Sequence, residues 1–151
     1  MIWLDADVFT HADVSAAWLE KLFPAPSYIA WLDRQNSHPE CGWVMYRCDH
    51  SYHHAFMAAL ENVYTSGDVF RYAETHDSYV LQHFVGSKVL RRKIEPAVSL
   101  SGAGYRTSHV FINGPIGAVA DHMKGERKRN GRSSRRDLII RRTEPYWQQQ
   151  A

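Results

Sequence analysis

Two carboxylates, Asp5 and Asp7, stand directly behind the apolar run Met1-Ile2-Trp3-Leu4, separated from each other by Ala6. A D-x-D at the end of a buried strand can share one hard cation, directly or through water, and that cation can bridge to a diphosphate. The bare tripeptide is common, and exposed loop carboxylates are its ordinary meaning. The context Ile-Trp-Leu-Asp-Ala-Asp-Val strengthens the functional one. Far along the chain, His122-Met123-Lys124-Gly125-Glu126-Arg127-Lys128 reads H-x-x-G-x-x-K. His122 offers an imidazole as a third metal ligand, Gly125 lets backbone approach a phosphate, and Lys128 can neutralise diphosphate charge as it leaves. A surface histidine followed by a solvated basic turn is the plain alternative for the same residues.

In this order the two motifs resemble the pattern of GT-A glycosyltransferases, in which a D-x-D and a C-terminal His bind manganese. The second motif is similar to the start of the H-x-x-G-x-x-K-P-W motif of family-8 retaining glycosyltransferases, with Arg129-Asn130 where that family has Pro-Trp. Between them, Pro39-Glu40-Cys41-Gly42-Trp43-Val44 resembles the acceptor-side strand of such enzymes, where a small residue admits the sugar beneath the metal site. By that resemblance Glu40 and Gly42 are substrate-binding residues. Glu74-Thr75-His76-Asp77-Ser78 resembles the later acidic motif close to the anomeric carbon. It makes Asp77 the candidate carboxylate that contacts the transferring sugar or acts as base, with His76 beside it. Asp77-Ser78 equally suits the N-cap of a following helix, and the two roles are compatible.

The resemblance implies an α/β fold with a mixed sheet flanked by helices, equivalent to the C-terminal part of a GT-A domain. Residues 1–147 would form this single partial domain and 148–151 a disordered tail. The implied reaction moves a sugar from a nucleotide-diphosphate donor to a hydroxyl acceptor, with Mn2+ or Mg2+ on Asp5, Asp7 and His122. The diphosphate would lie on Gly125 and Lys128, with Arg127 or Arg132 assisting the leaving group. A complete GT-A domain places a nucleotide-binding half before its D-x-D, so a truncated chain or a partner polypeptide supplying that half is expected. A second chain or a homo-oligomer would then cover the exposed sheet edge. An isolated half would lose much of the positioning on which such a transfer depends.

The elements that must carry these residues are readable in outline. The opening apolar run is a buried strand that stops at Asp5. Asp13 can cap a short helix in which Val14, Trp18 and Leu22 recur every four residues, closed by Pro24 and Pro26. Residues 27–33 and 42–46 are rich in aromatic and branched side chains and read as strands able to pair. Residues 51–65 are helical, with Phe56, Leu60 and Val63 or Tyr64 on one face and a stop at Ser66-Gly67. A second helix is expected over 79–90, one strand over 109–112 among glycine-rich loops, and a last strand over 137–142.

Composition bounds the alternatives. The charge is divided: residues 101–151 hold ten Lys and Arg against four Asp and Glu, a balance of +6, whereas residues 1–100 hold eight against twelve, a balance of −4. Such a division suits a cation on one side and a phosphate-bearing ligand on the other, and it also suits nucleic-acid contact. A basic nucleic-acid-binding module built on the arginines of 127–142 is therefore the second reading. Cys41, Cys48, His50, His53 and His54 have zinc chemistry but not the short paired spacing of a finger. Two cysteines are too few for a disulfide framework and fit a cytoplasmic setting. No stretch reaches the roughly 20 apolar residues of a membrane span.

Overall fold

A computed structural model of the chain describes residues 1–34, 38–85, 97–99 and 114–122. The expected strands over 109–112 and 137–142, the basic run 124–136 and the tail 148–151 lie outside these residues. Within them the architecture is mixed α/β, with a small sheet between helices.

Four strands form the main sheet: β1 (Ile2–Leu4), β3 (Ile29–Leu32), β4 (Glu40–Tyr46) and β5 (Ala97–Ser99), in the order β1-β4-β3-β5. Its pairs are antiparallel except β3 with β5, which is parallel, so the sheet is mixed as expected. A separate antiparallel ribbon joins β2 (Val8–Thr10) to β6 (Ala120–His122). The sequence reading missed β2, β5 and β6, each three residues long.

All four residues of β3 are buried, because helices cover both faces of the central strands. Alternation along β3 sends Ile29 and Trp31 to one core and Ala30 and Leu32 to the other. The first core is closed by α2 (Ser51–Thr65) and α3 (Asp77–Val85), which contribute Phe56, Val63, Val80 and Phe84. Burying Phe56, only 1% exposed, stabilises the fold by about 1.5–3 kcal/mol. The second core takes Trp43 and Met45 from β4 with Ile116 and Val119, and Trp18, Leu19 and Leu22 of α1 (Ala16–Leu22) pack against it.

Local signals explain the helix ends. Ser15, not Asp13, caps α1, its hydroxyl accepting from the Trp18 N–H at 3.2 Å. His50 caps α2 by accepting the Tyr52 N–H at Nδ1, and the chain leaves α2 through Gly67 at φ 78°, a left-handed turn suited to glycine. Helix α3 begins at Asp77, two residues before the expected start. Arg47 ties the end of α1 to the start of β3 by donating to the carbonyls of Phe23 (2.9 Å) and Ser27 (3.1 Å). No helix among the described residues is long and apolar enough to cross a membrane.

The feature that shapes the site is an irregularity in β4. Strand β3 pairs in step from Ile29↔Tyr46 to Trp31↔Val44, then jumps to Leu32↔Glu40. Residues 41–43 thus have no counterpart on β3. They are held from the other edge, where Leu4 pairs with Trp43 and the Asp5 N–H donates to the Gly42 carbonyl at 3.3 Å. A bulge of this kind re-aims side chains and recurs beside functional sites. Here it sends Cys41 into the α2/α3 core and brings Glu40 and Gly42 beneath the ribbon.

Candidate metal centre

Strand β1 ends at Leu4, and the turn 5–7 leads at once into β2, fastened by the Val8 N–H donating to the Asp5 carbonyl at 3.0 Å. Because Val8 pairs with His122, the ribbon sets the imidazole beside the turn that carries both aspartates. One ligand atom from each of Asp5, Asp7 and His122 lies within 4.8 Å of the other two. His122 Nε2 is 2.8 Å from Asp7 Oδ1 and 3.7 Å from Asp5 Oδ2. The other oxygen of Asp5 accepts from the Trp3 indole N–H at 3.3 Å, which turns Oδ2 toward the ring. The His122 side chain is 4% exposed, while Asp5 and Asp7 reach solvent at 30% and 21%. The cluster therefore has a buried back and an open front.

The back is built from the bulge. Glu40, buried at 4% exposure, places Oε1 3.1 Å from His122 Nδ1 and pairs through Oε2 with the Arg34 guanidinium. Burial pushes the Arg34 pKa down from its ordinary value. The Gly42 N–H also donates to Glu40 Oε1, at 3.3 Å. A Cβ on residue 42 would stand 2.4 Å from His122 Nδ1 and 2.8 Å from its Cε1, so what the glycine admits is the imidazole. Glu40 and Gly42, expected on an acceptor-side strand as substrate-binding residues, thus form the seat of the His122 ring. Sequence reasoning did not single out Arg34, nor Asp121, fully buried beside His122 on β6.

Asp77 opens α3, where its Oδ1 accepts the Ser78 N–H at 2.7 Å. Cys41 lies between the two acidic stations. Burial raises its thiol pKa to about 11, a Ser78 hydrogen bond and the Arg34 charge pull it down, and the Asp77 and Asp5 charges push it further up. Asp77 is therefore within electrostatic reach of the same strand residue as Asp5. His76 is engaged locally: its Nδ1 accepts the Tyr79 N–H at 3.2 Å, and its Nε2 meets Glu74 Oε2 at 2.6 Å. Gly125, Arg127 and Lys128 lie outside the described residues.

His38 with Glu74 and His76 is a second group that can hold an ion. Because the Tyr79 N–H occupies His76 Nδ1, the ring proton sits on Nε2, where Glu74 accepts it. That atom is a donor, and the hydrogen bond to His76 holds the Glu74 carboxyl below its usual range. At His122 it is likewise Nε2 that hydrogen-bonds a carboxylate, Asp7 Oδ1 at 2.8 Å, while Nδ1 lies 3.1 Å from Glu40 Oε1. Cys41, Cys48, His50, His53 and His54 form no group of three convergent ligands among the described residues. Cys41 is buried and Cys48 exposed.

No protein-family model, no curated protein and no solved structure matches this chain.

Proposed function

We propose that the chain binds a divalent cation, Mn2+ or Mg2+, through Asp5, Asp7 and His122, and uses it to hold a nucleotide-diphosphate sugar as the metal-binding part of a GT-A-type glycosyltransferase. The observation that carries the reading is the convergence of a carboxylate pair and an imidazole 115 residues away, with ligand atoms within 4.8 Å. Two hard carboxylates and one imidazole suit Mn2+ and Mg2+ better than they suit a thiolate-seeking ion. When bound, such an ion supplies charge neutralisation for a departing diphosphate.

The chain's own residues divide the remaining work. Asp5 and Asp7 present oxygens on the open side of the cluster, where a donor can approach. Asp77, fixed by the Ser78 N–H, is the carboxylate assigned to contact the transferring sugar or to take the acceptor proton. Lys128 and Arg127 are assigned to the diphosphate through the H-x-x-G-x-x-K spacing. Strand β1 forms one edge of the sheet with Trp3 and Leu4 exposed, and there we place a second chain completing the donor site.

Thermal unfolding with MnCl2 and a panel of nucleoside diphosphates, set beside zinc alone and beside DNA, tests the proposal. A ligand at one hundred times its Kd stabilises by about 2.7 kcal/mol. The expected result is a rise in Tm with Mn2+ and diphosphate that Asp7→Ala removes. Stabilisation by DNA alone, or an undiminished metal response in Asp7→Ala, would contradict it.

A further inference from the structure

We infer that His38, Glu74 and His76 form a second metal site, for Zn2+, which ties the segment entering β4 to the segment entering α3 and takes one of its ligands from the cap of that helix. The site is separate from the aspartate centre, and either can fail without the other.

The three residues come from two stretches of chain, His38 just before β4 and Glu74 with His76 just before α3. One ligand atom from each lies within 4.8 Å of the other two. The Glu74 carboxylate stands between the rings, with Oε1 3.4 Å from His38 Nε2 and Oε2 2.6 Å from His76 Nε2. The ring planes cross at 62° with centroids 5.3 Å apart, so the rings do not stack, and both turn Nε2 toward the same carboxylate. Around a tetrahedral ion with ligands at about 2.0–2.1 Å, neighbouring donor atoms stand roughly 3.3 Å apart. The His38–Glu74 pair already has that spacing, and the His76–Glu74 pair reaches it by opening roughly 0.7 Å. Two imidazoles and one carboxylate suit Zn2+, and because Glu74 and His76 are exposed the fourth position faces solvent.

Each ring is held from behind through Nδ1, as ligating histidines ordinarily are. At His38 the partner is Gln82 Oε1 on α3, an acceptor, which places the proton on Nδ1 and leaves the Nε2 lone pair to an ion. At His76 the partner is the Tyr79 N–H, a donor, at 3.2 Å, which places the proton on Nε2, where Glu74 accepts it. Metal binding therefore requires an exchange at His76. The ring proton passes through solvent from Nε2 to Nδ1, the ion takes the Nε2 lone pair, and the Tyr79 N–H loses its acceptor. Loss of a helix cap costs about fivefold in equilibrium, so the ion and the first turn of α3 compete for one ring.

The test uses the full chain and ZnCl2. Calorimetry compares the wild type with His38→Gln, His76→Asn and Asp7→Ala, and 1H–15N spectra follow the Tyr79 amide and the histidine rings. His76→Asn keeps an acceptor for the Tyr79 N–H, so α3 retains its cap while the metal loses a ligand. The expected result is a Zn2+ equivalent that weakens by about 10–100-fold or more in His38→Gln and in His76→Asn and persists in Asp7→Ala. The Tyr79 amide resonance should move as Zn2+ is added to the wild type and stay in place in His76→Asn. Zn2+ binding lost only in Asp7→Ala would assign the ion to the aspartate centre and overturn this site. Undiminished binding in both histidine variants, or no binding to the wild type, would overturn it as well. Binding through the histidines with an unmoved Tyr79 amide would refute the exchange at the cap. Should a histidine variant fail to fold, the wild type still decides, because unmoved His38 and His76 ring resonances with Zn2+ bound place the ion elsewhere.

Discussion

Replacing Gly42 by alanine tests the seat of the imidazole through a single methyl group. The added Cβ would lie 2.4 Å from His122 Nδ1, where ordinary van der Waals contact begins at 3.4 Å, so about 1 Å of separation must be found. The bulge backbone is held by Leu4↔Trp43 and by the Asp5 N–H, and the ring is buried, so the displacement falls on the His122 side chain. A shift of that size either widens the 3.1 Å contact to Glu40 or takes the 2.8 Å hydrogen bond to Asp7 out of range. Overpacking of this kind costs about 1–3 kcal/mol. Misplacing a positioned group by roughly 1 Å costs on the order of a hundredfold where geometry decides function. The variant should therefore unfold at a moderately lower temperature and bind Mn2+ at least tenfold more weakly, read by thermal unfolding and calorimetry on the same preparation. Unchanged Mn2+ affinity in a folded Gly42→Ala protein would refute the argument that His122 is seated against residue 42.

Two other measurements probe the cores. Burial raises the Cys41 thiol pKa to about 11, so it stays protonated at neutral and mildly alkaline pH, and one thiol per native chain, the exposed Cys48, should react quickly with a disulfide reagent. The second should react only on unfolding, and two fast thiols would contradict the buried placement. His53 on α2 has its pKa lowered, first by burial and then by the neighbouring His54 and N-terminal charges. Its folded state prefers the neutral ring, so the associated stability is complete above the unfolded value of about 6.5 and is lost as pH falls through the lower folded value. Tm should drop more steeply below pH 6.5 in the wild type than in His53→Gln, and parallel curves would remove His53 from the explanation.

Helix α2 was legible to the residue, 51–65, because a helix of that length repeats its apolar face several times and ends at a marked Ser66-Gly67. Strands β3 and β4 were legible as a pair, from branched and aromatic runs on either side of a polar loop. Strands β2, β5 and β6 were not, since three residues cannot display a period. The cap of α1 was misplaced because Asp13 and Ser15 are both competent caps, and only the geometry of the Trp18 N–H distinguishes them. The jump from Trp31↔Val44 to Leu32↔Glu40 is likewise invisible along the chain, with Gly42 its one local sign.

That jump also separates what motif reading reached at the centre from what it could not. D-x-D and a downstream histidine suggested which side chains should meet, and the β2–β6 ribbon is the physical reason they do. The buried half was reached only in part: Glu40 and Gly42 were expected as substrate-binding residues rather than as the seat of the ring, and Arg34 was not singled out. The groups joined by the measured distances are three carboxylates, from Asp5, Asp7 and Glu40, with one imidazole and one guanidinium. Arg34 pairs with Glu40, and both aspartates approach the imidazole through Nε2. A glycine, rather than any small residue, stands at position 42 because the wall lets the imidazole lie against the backbone itself, and no side chain leaves that space.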